Sequence, residues 1–258
     1  MLIIVLMSAF CLQWGYAQVK DGRAVYERKV NMHRRLEDPG MKNMLPEFSI
    51  SKAELLFSSD ESLWRNIKEE EDIRDEAGED QNRPVVRMRF GGAEDQTYRN
   101  YATDKMVQQR EMGPKKYIIE DSFPHQSWKM EADTQRIKGF LCRKATTTTT
   151  ARMGPGPGPG PAQNAGGTPV VAWYAEDIQA PSGPEVYGGL PGLILQLDVN
   201  DGEMVFTVTE LDTKLEKGLV KAPADGKKIT RVAFQKMMEE QFGPEGRGGR
   251  PTIRIIRN

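Results

Sequence analysis

Few of the side chains that do chemistry stand at spacings that would let them do it. The two histidines, His33 and His125, lack Cys, His or Glu partners at metal-ligand spacing. No HExxH helix motif and no GxSxG nucleophile elbow occurs. The Gly-Pro run from Gly154 to Pro161 lacks the Lys-Ser/Thr pair and the strand-to-helix setting of a phosphate loop. Asp198-x-Asn200 opens like a calcium loop, but Gly202 comes one position early and Thr209 stands where the closing Glu belongs. Carboxylates are plentiful without marking a glycosidase pair. One soft-ligand set remains: Met32, His33, Met41 and Met44 could offer thioether and imidazole ligands to Cu(I), although methionine is equally a flexible core filler. Cys142 sits beside Phe140 and Leu141 and is expected as a buried strand residue, with a reactive thiol as the alternative.

The elements that would carry these residues are strands. Ala24, Tyr26, Val30 and Met32 alternate with Glu27 and Lys29, the period of a half-buried strand. Residues 36–47 hold two prolines and read as a connection, and 48–57 alternate again. Residues 65–83 crowd like charges and are expected as a mobile, solvated acidic loop. Val85–Phe90 resumes alternation. Short strands follow at intervals of about ten residues through Thr150, the rhythm of an antiparallel meander. Residues 152–168 are a Gly-Pro-rich loop between two strands. Asn200-Asp201-Gly202 joins residues 193–199 to 203–211 as a hairpin. Thr230 caps a helix over Arg231–Phe242, ended by Gly243-Pro244, and the Gly/Arg-rich tail ends in a short strand.

Composition and the N-terminus bound the setting. The 258 residues carry 36 Lys+Arg against 37 Asp+Glu, a net charge of −1, so a partner held by phosphate neutralisation is not expected. Leu2–Leu12 is too short to span a bilayer and suits a signal peptide. Small residues at Gly15 and Ala17 place the cut after Ala17, although no Lys or Arg precedes the apolar run. Cleavage would leave Cys142 alone, without an intramolecular disulfide.

Gly189-Leu190-Pro191-Gly192-Leu193-Ile194 spells GLPGLI, and Trp128-Lys129, Ile137–Ala145, and Ala172-Trp173-Tyr174 leading to Gly183-Pro184 accompany it. In order and spacing the chain resembles the GLPGLI family, exported proteins of Bacteroidota-type bacteria. Met88–Gly92 and Tyr98-Arg99-Asn100 extend the likeness over most of the mature chain. It departs at the Gly-Pro insertion and at Phe140-Leu141, where an aromatic-Thr pair is commoner. The resemblance implies export and a curved antiparallel sheet, with no general biochemical role to carry over. Pro191-Gly192 suits the centre of a type II turn, and Gly188-Gly189 allow a close approach to Trp173 or Tyr174.

The fold expected is mainly β: one highly curved antiparallel sheet or open half-barrel with one C-terminal helix, forming a single domain over 18–258 after a signal peptide at 1–17. The function expected is non-catalytic and without a cofactor, in the periplasm, cell envelope or extracellular space. An apolar or peptide-like ligand, or an envelope partner protein, would sit against Trp128, Trp173, Tyr174, Leu190, Pro191, Gly192 and Leu193. A copper handler using Met32, His33, Met41 and Met44, a hydrolase with an unrecognised carboxylate pair, and a purely structural envelope protein are the alternatives. Neither nucleic acid nor a membrane span after cleavage is expected.

Overall fold

Apolar residues at every second position leave one face of each strand to be buried, and the chain meets that demand by joining its strands into one sheet. The computed structural model describes residues 19–35, 38–67, 92–149, 167–214 and 218–242. The expected signal peptide, residues 68–83 of the expected acidic loop, the strand expected over Val85–Phe90, residues 152–166 and the tail from 243 lie outside them. The strands are β1 (Gly22–Asn31), β2 (Phe48–Phe57), β3 (Glu61–Asn66), β4 (Gln96–Asn100), β5 (Lys105–Met112) and β6 (Lys115–Ser122). They continue as β7 (Lys129–Ile137), β8 (Phe140–Thr149), β9 (Thr168–Ala175), β10 (Leu193–Val199), β11 (Met204–Asp212) and β12 (Lys227–Ile229). Two helices are added, α1 (Pro39–Met44) and α2 (Arg231–Phe242).

The sheet is open and twelve-stranded, ordered β12-β6-β5-β4-β3-β2-β1-β11-β10-β9-β8-β7. Its pairs are antiparallel except β6–β12, which is parallel. Turn chemistry sets the hairpins. Lys138 and Gly139, both at positive φ (50° and 85°), make the two-residue turn between β7 and β8. Asn200, Asp201 and Gly202 make the turn between β10 and β11, with the Asp198 carboxylate accepting from the Gly202 amide at 2.6 Å.

Connector length shows that the sheet curls. β6 and β7 stand ten places apart in the order, about 48 Å along a flat sheet at the usual strand spacing. The chain passes from Ser122 to Lys129 through residues 123–128 alone, a reach of roughly 25 Å at most. The two ends of the sheet are therefore drawn toward each other.

The inner face is filled by the protein itself. Tyr26, Phe57, Ala172, Leu197 and Phe206 are fully buried there, and the Tyr26 and Trp64 rings lie 5.3 Å apart. The 176–192 segment joining β9 to β10 crosses this face and buries Ile178, Ala180, Ser182, Tyr187 and Leu190. Arg99 of β4, fully buried, holds the segment: its guanidinium donates to the carbonyls of Tyr187 (2.7 Å), Gly183 (3.1 Å) and Glu185. Arg28 of β1 donates to the Glu185 carboxylate at 3.1 Å and to Ser51 Oγ at 3.0 Å. The Tyr26 hydroxyl donates to the Ile194 carbonyl at 2.6 Å.

Three local readings are corrected. Residues 39–44 form α1, whose start is capped by the Asp38 carboxylate accepting from the Gly40 amide at 2.8 Å, with Pro39 in the first turn. Gly189, not Gly192, has the left-handed conformation (φ 81°). Gly192 is required for space, since a Cβ there would lie 2.1 Å from the Ala175 carbonyl oxygen. Gly188 approaches the Arg99 guanidinium and Phe123 rather than Trp173 or Tyr174. Helix α2 starts as expected, with Thr230 Oγ1 accepting from the Ala233 amide at 3.2 Å. It packs on β6 through Phe234 against Tyr117, rings 5.9 Å apart, and through the Arg231–Asp121 ion pair.

Replacing Arg99 with Met removes the donors from two buried carbonyls, of Tyr187 and Gly183, and from the part-buried one of Glu185. Each buried group left unpaired costs about 1–3 kcal/mol, so Arg99→Met is expected to lower unfolding stability by about 3 kcal/mol or more, read from the midpoint of chemical denaturation. A midpoint within error of the parent would show that the clamp is dispensable.

Candidate functional site

At the β7 end of the sheet, the inner face runs past the crossing segment and meets solvent. Alternation carries the side chains there. Trp128 lies just before β7, and its indole N–H donates to the Gly188 carbonyl at 2.9 Å, which fixes the ring against the segment. Its ring centroid is 6.4 Å from that of Tyr187. Met130, two residues on, pairs with Ala145, and Ala145 pairs with Ala172, so all three share the inner face. Tyr174 is two residues beyond Ala172 and pairs with Arg143, and Leu141 is two before Arg143. Trp128, Met130, Leu141 and Tyr174 thus form a rim on one face.

The rim is unevenly covered. Tyr174 is buried, whereas Met130 is 51% and Leu141 48% exposed. The Tyr174 hydroxyl donates to Met130 Sδ at 3.3 Å and lies 3.4 Å from Glu176 Oε1. Burial, and then the Glu176 carboxylate, hold that hydroxyl above its usual pKa, so it stays a donor. Arg143 pairs with Glu176 at 3.4 Å and borders the rim with charge. Among the described residues β7 is the last strand in the order, so one of its edges has no neighbour among them. Lys129, Glu131, Asp133 and Arg136 lie along it, and its register slips between Met130 and Thr134. Charges and irregularity of this kind discourage indiscriminate strand pairing.

The residues expected to line a site are divided. Trp128 and Tyr174 come together through Met130. Trp173 pairs with Lys144 and Gln196 and therefore points from the opposite face. Leu190 and Leu193 are core residues, Gly192 is packed against the backbone, and Pro191 is exposed. Met130 and Leu141 were not anticipated. The alternation that begins at Trp128 points to Met130, but its exposure depends on β7 being the last strand.

The other candidate ligands sit in structural settings. Met32 is buried in the core, and a His33 ring nitrogen lies 2.9 Å from the Leu45 carbonyl. The side chains of Met41 and Met44 lie outside the described residues. His125 pairs with Asp104 at 3.0 Å on the surface. No group of three or more His, Cys, Asp or Glu side chains is placed to hold a metal ion among the described residues. An open groove of about 610 Å³ lies between β6, β12 and the start of α2, away from the rim, crossed by the Lys228–Glu120 pair at 2.9 Å. No helix among the described residues is long and apolar enough to cross a membrane.

Cys142 is fully buried on β8, and burial pushes its thiol up to about 11. At pH 8 the folded protein is therefore expected to leave Cys142 unmodified by iodoacetamide, with alkylation appearing once it is unfolded in denaturant. Peptide mapping measures this, and complete alkylation of the folded protein would contradict the burial.

A family profile described as "Protein of unknown function (Porph_ging)" matches residues 162–196. That stretch takes in β9, the crossing segment and the first part of β10. No curated protein matches the chain. Two solved structures of PNGF-II, in space groups C2 and P21, superpose with a TM-score of 0.54 at 14% identity. Each match covers 86% of this chain and 33% or 34% of the PNGF-II chain. The chain thus spans about one third of the protein it matches, and at this identity the likeness is one of fold.

Proposed function

We propose that this chain is a non-catalytic, exported cell-envelope protein of the GLPGLI type. It holds an apolar or peptide-like ligand, or an extended segment of a partner protein, on the rim of Trp128, Met130, Leu141 and Tyr174. The observation that carries this reading is the exposure of Met130 and Leu141, about half each, on the face whose central part is buried. Apolar groups left beside a core are a site for further burial. The indole bond to Gly188 fixes Trp128 in advance, which lowers the ordering cost of binding. The edge of β7 that has no partner among the described residues favours a peptide-like occupant, because an extended backbone can add to it.

Native mass spectrometry on protein purified from its own envelope tests the reading. The parent chain is expected to carry a co-purifying ligand or partner, and a Met130→Lys, Leu141→Lys variant to lose it. A parent chain carrying nothing, or an equal load on both, would remove the proposal. The same spectra test export, since the mature mass is expected to begin at Gln18.

A further inference from the structure

Met130 joins two properties that the other described methionines do not share. The residue is 51% exposed, whereas Met32, Met106 and Met204 are buried at 6%, 3% and 5%, and Met112, Met237 and Met238 are half-buried. Its sulfur also accepts a hydrogen bond from the buried Tyr174 hydroxyl at 3.3 Å, an ordinary distance for sulfur. The alternative acceptor, Glu176 Oε1, is at 3.4 Å, long for an O–H···O bond. One lone pair of the sulfur is therefore engaged from the protein side, and the exposure of the residue leaves the other within reach of a reagent from solvent.

We propose that Met130 is a site of reversible oxidation by peroxide-class oxidants, and that its sulfoxide closes the rim to apolar ligands. In the reaction the lone pair not engaged by Tyr174 attacks a peroxide oxygen. An S–O bond forms, the O–O bond breaks and water leaves. The sulfur loses two electrons and the peroxide gains them. Because Tyr174 holds the side chain, oxygen adds from one direction and one sulfoxide epimer predominates. The product places a polar, chiral group where the rim was apolar, and the sulfoxide reductases can reverse it, each acting on one epimer. The oxidation stands on the local geometry alone, and its effect on the rim rests on the binding reading above.

The full chain is treated with hydrogen peroxide in its folded state, quenched and digested with trypsin, which releases Met130–Arg136. Met130 is expected to oxidise at least about tenfold faster than Met32, Met106 and Met204. One epimer, identified by selective reduction, is expected to exceed the other by about fivefold or more in the parent and to approach parity in Tyr174→Phe. A Met130 rate no higher than those of the buried Met32, Met106 and Met204 or of the half-buried Met112, Met237 and Met238, or equal epimers in the parent, would overturn the assignment. The rim is read separately with the apolar dye anilinonaphthalene sulfonate. Peroxide is expected to reduce dye binding about twofold in the parent and to leave the Met130→Leu variant, which keeps the volume, unchanged. Complete Met130 oxidation without that loss would overturn the closure while leaving the oxidation site standing.

Discussion

A guanidinium with no access to water sits against one face of the sheet, and the arrangement of the rest depends on it. Removing a charge from solvent is tolerable only when hydrogen bonds replace its hydration. Arg99 obtains them from three carbonyls of the segment that joins β9 to β10. The donor belongs to β4 and the acceptors to the far half of the sheet, so one side chain ties the two halves across the inner face. The inner volume is thereby occupied by the chain's own backbone, and open apolar surface is left at the margin.

That margin explains why the site residues divide as they do. Three neighbouring residues, Ala172, Trp173 and Tyr174, look equivalent in sequence, but a strand sends Trp173 to the opposite face from its neighbours. The crossing segment then covers much of the inner face and leaves Met130 and Leu141 at the end it does not reach. The Gly188 carbonyl serves as the anchor point for Trp128, so the glycine-rich stretch positions the rim without lining it.

Where a local pattern was strong, the elements were legible. Residues 193–199 and the helix at Arg231–Phe242 fall where alternation, turn residues and capping placed them. β12 is three residues, two of them lysine, too short to show a period. Helix α1 lay behind two prolines that suggested a connection, although Asp38 followed by Pro39 is a helix start. Arg99 was opaque for a different reason. A charged residue between Tyr98 and Asn100 looks solvent-facing, and only the tertiary arrangement supplies the carbonyls that let it turn inward. The rim shares this difficulty, because Met130 and Leu141 are ordinary strand residues until the strand order makes theirs the last hairpin.

The position of β1 carries one more consequence. It lies mid-sheet, between β2 and β11, with Tyr26 opposite Val208. A strand is thus completed by one far along the chain, and closing so long a separation is slow. A chain emerging from a ribosome would expose half-formed sheet along β1 and β2 until β11 arrived. Until then the open edge of β1 is a template on which a strand of another chain could pair.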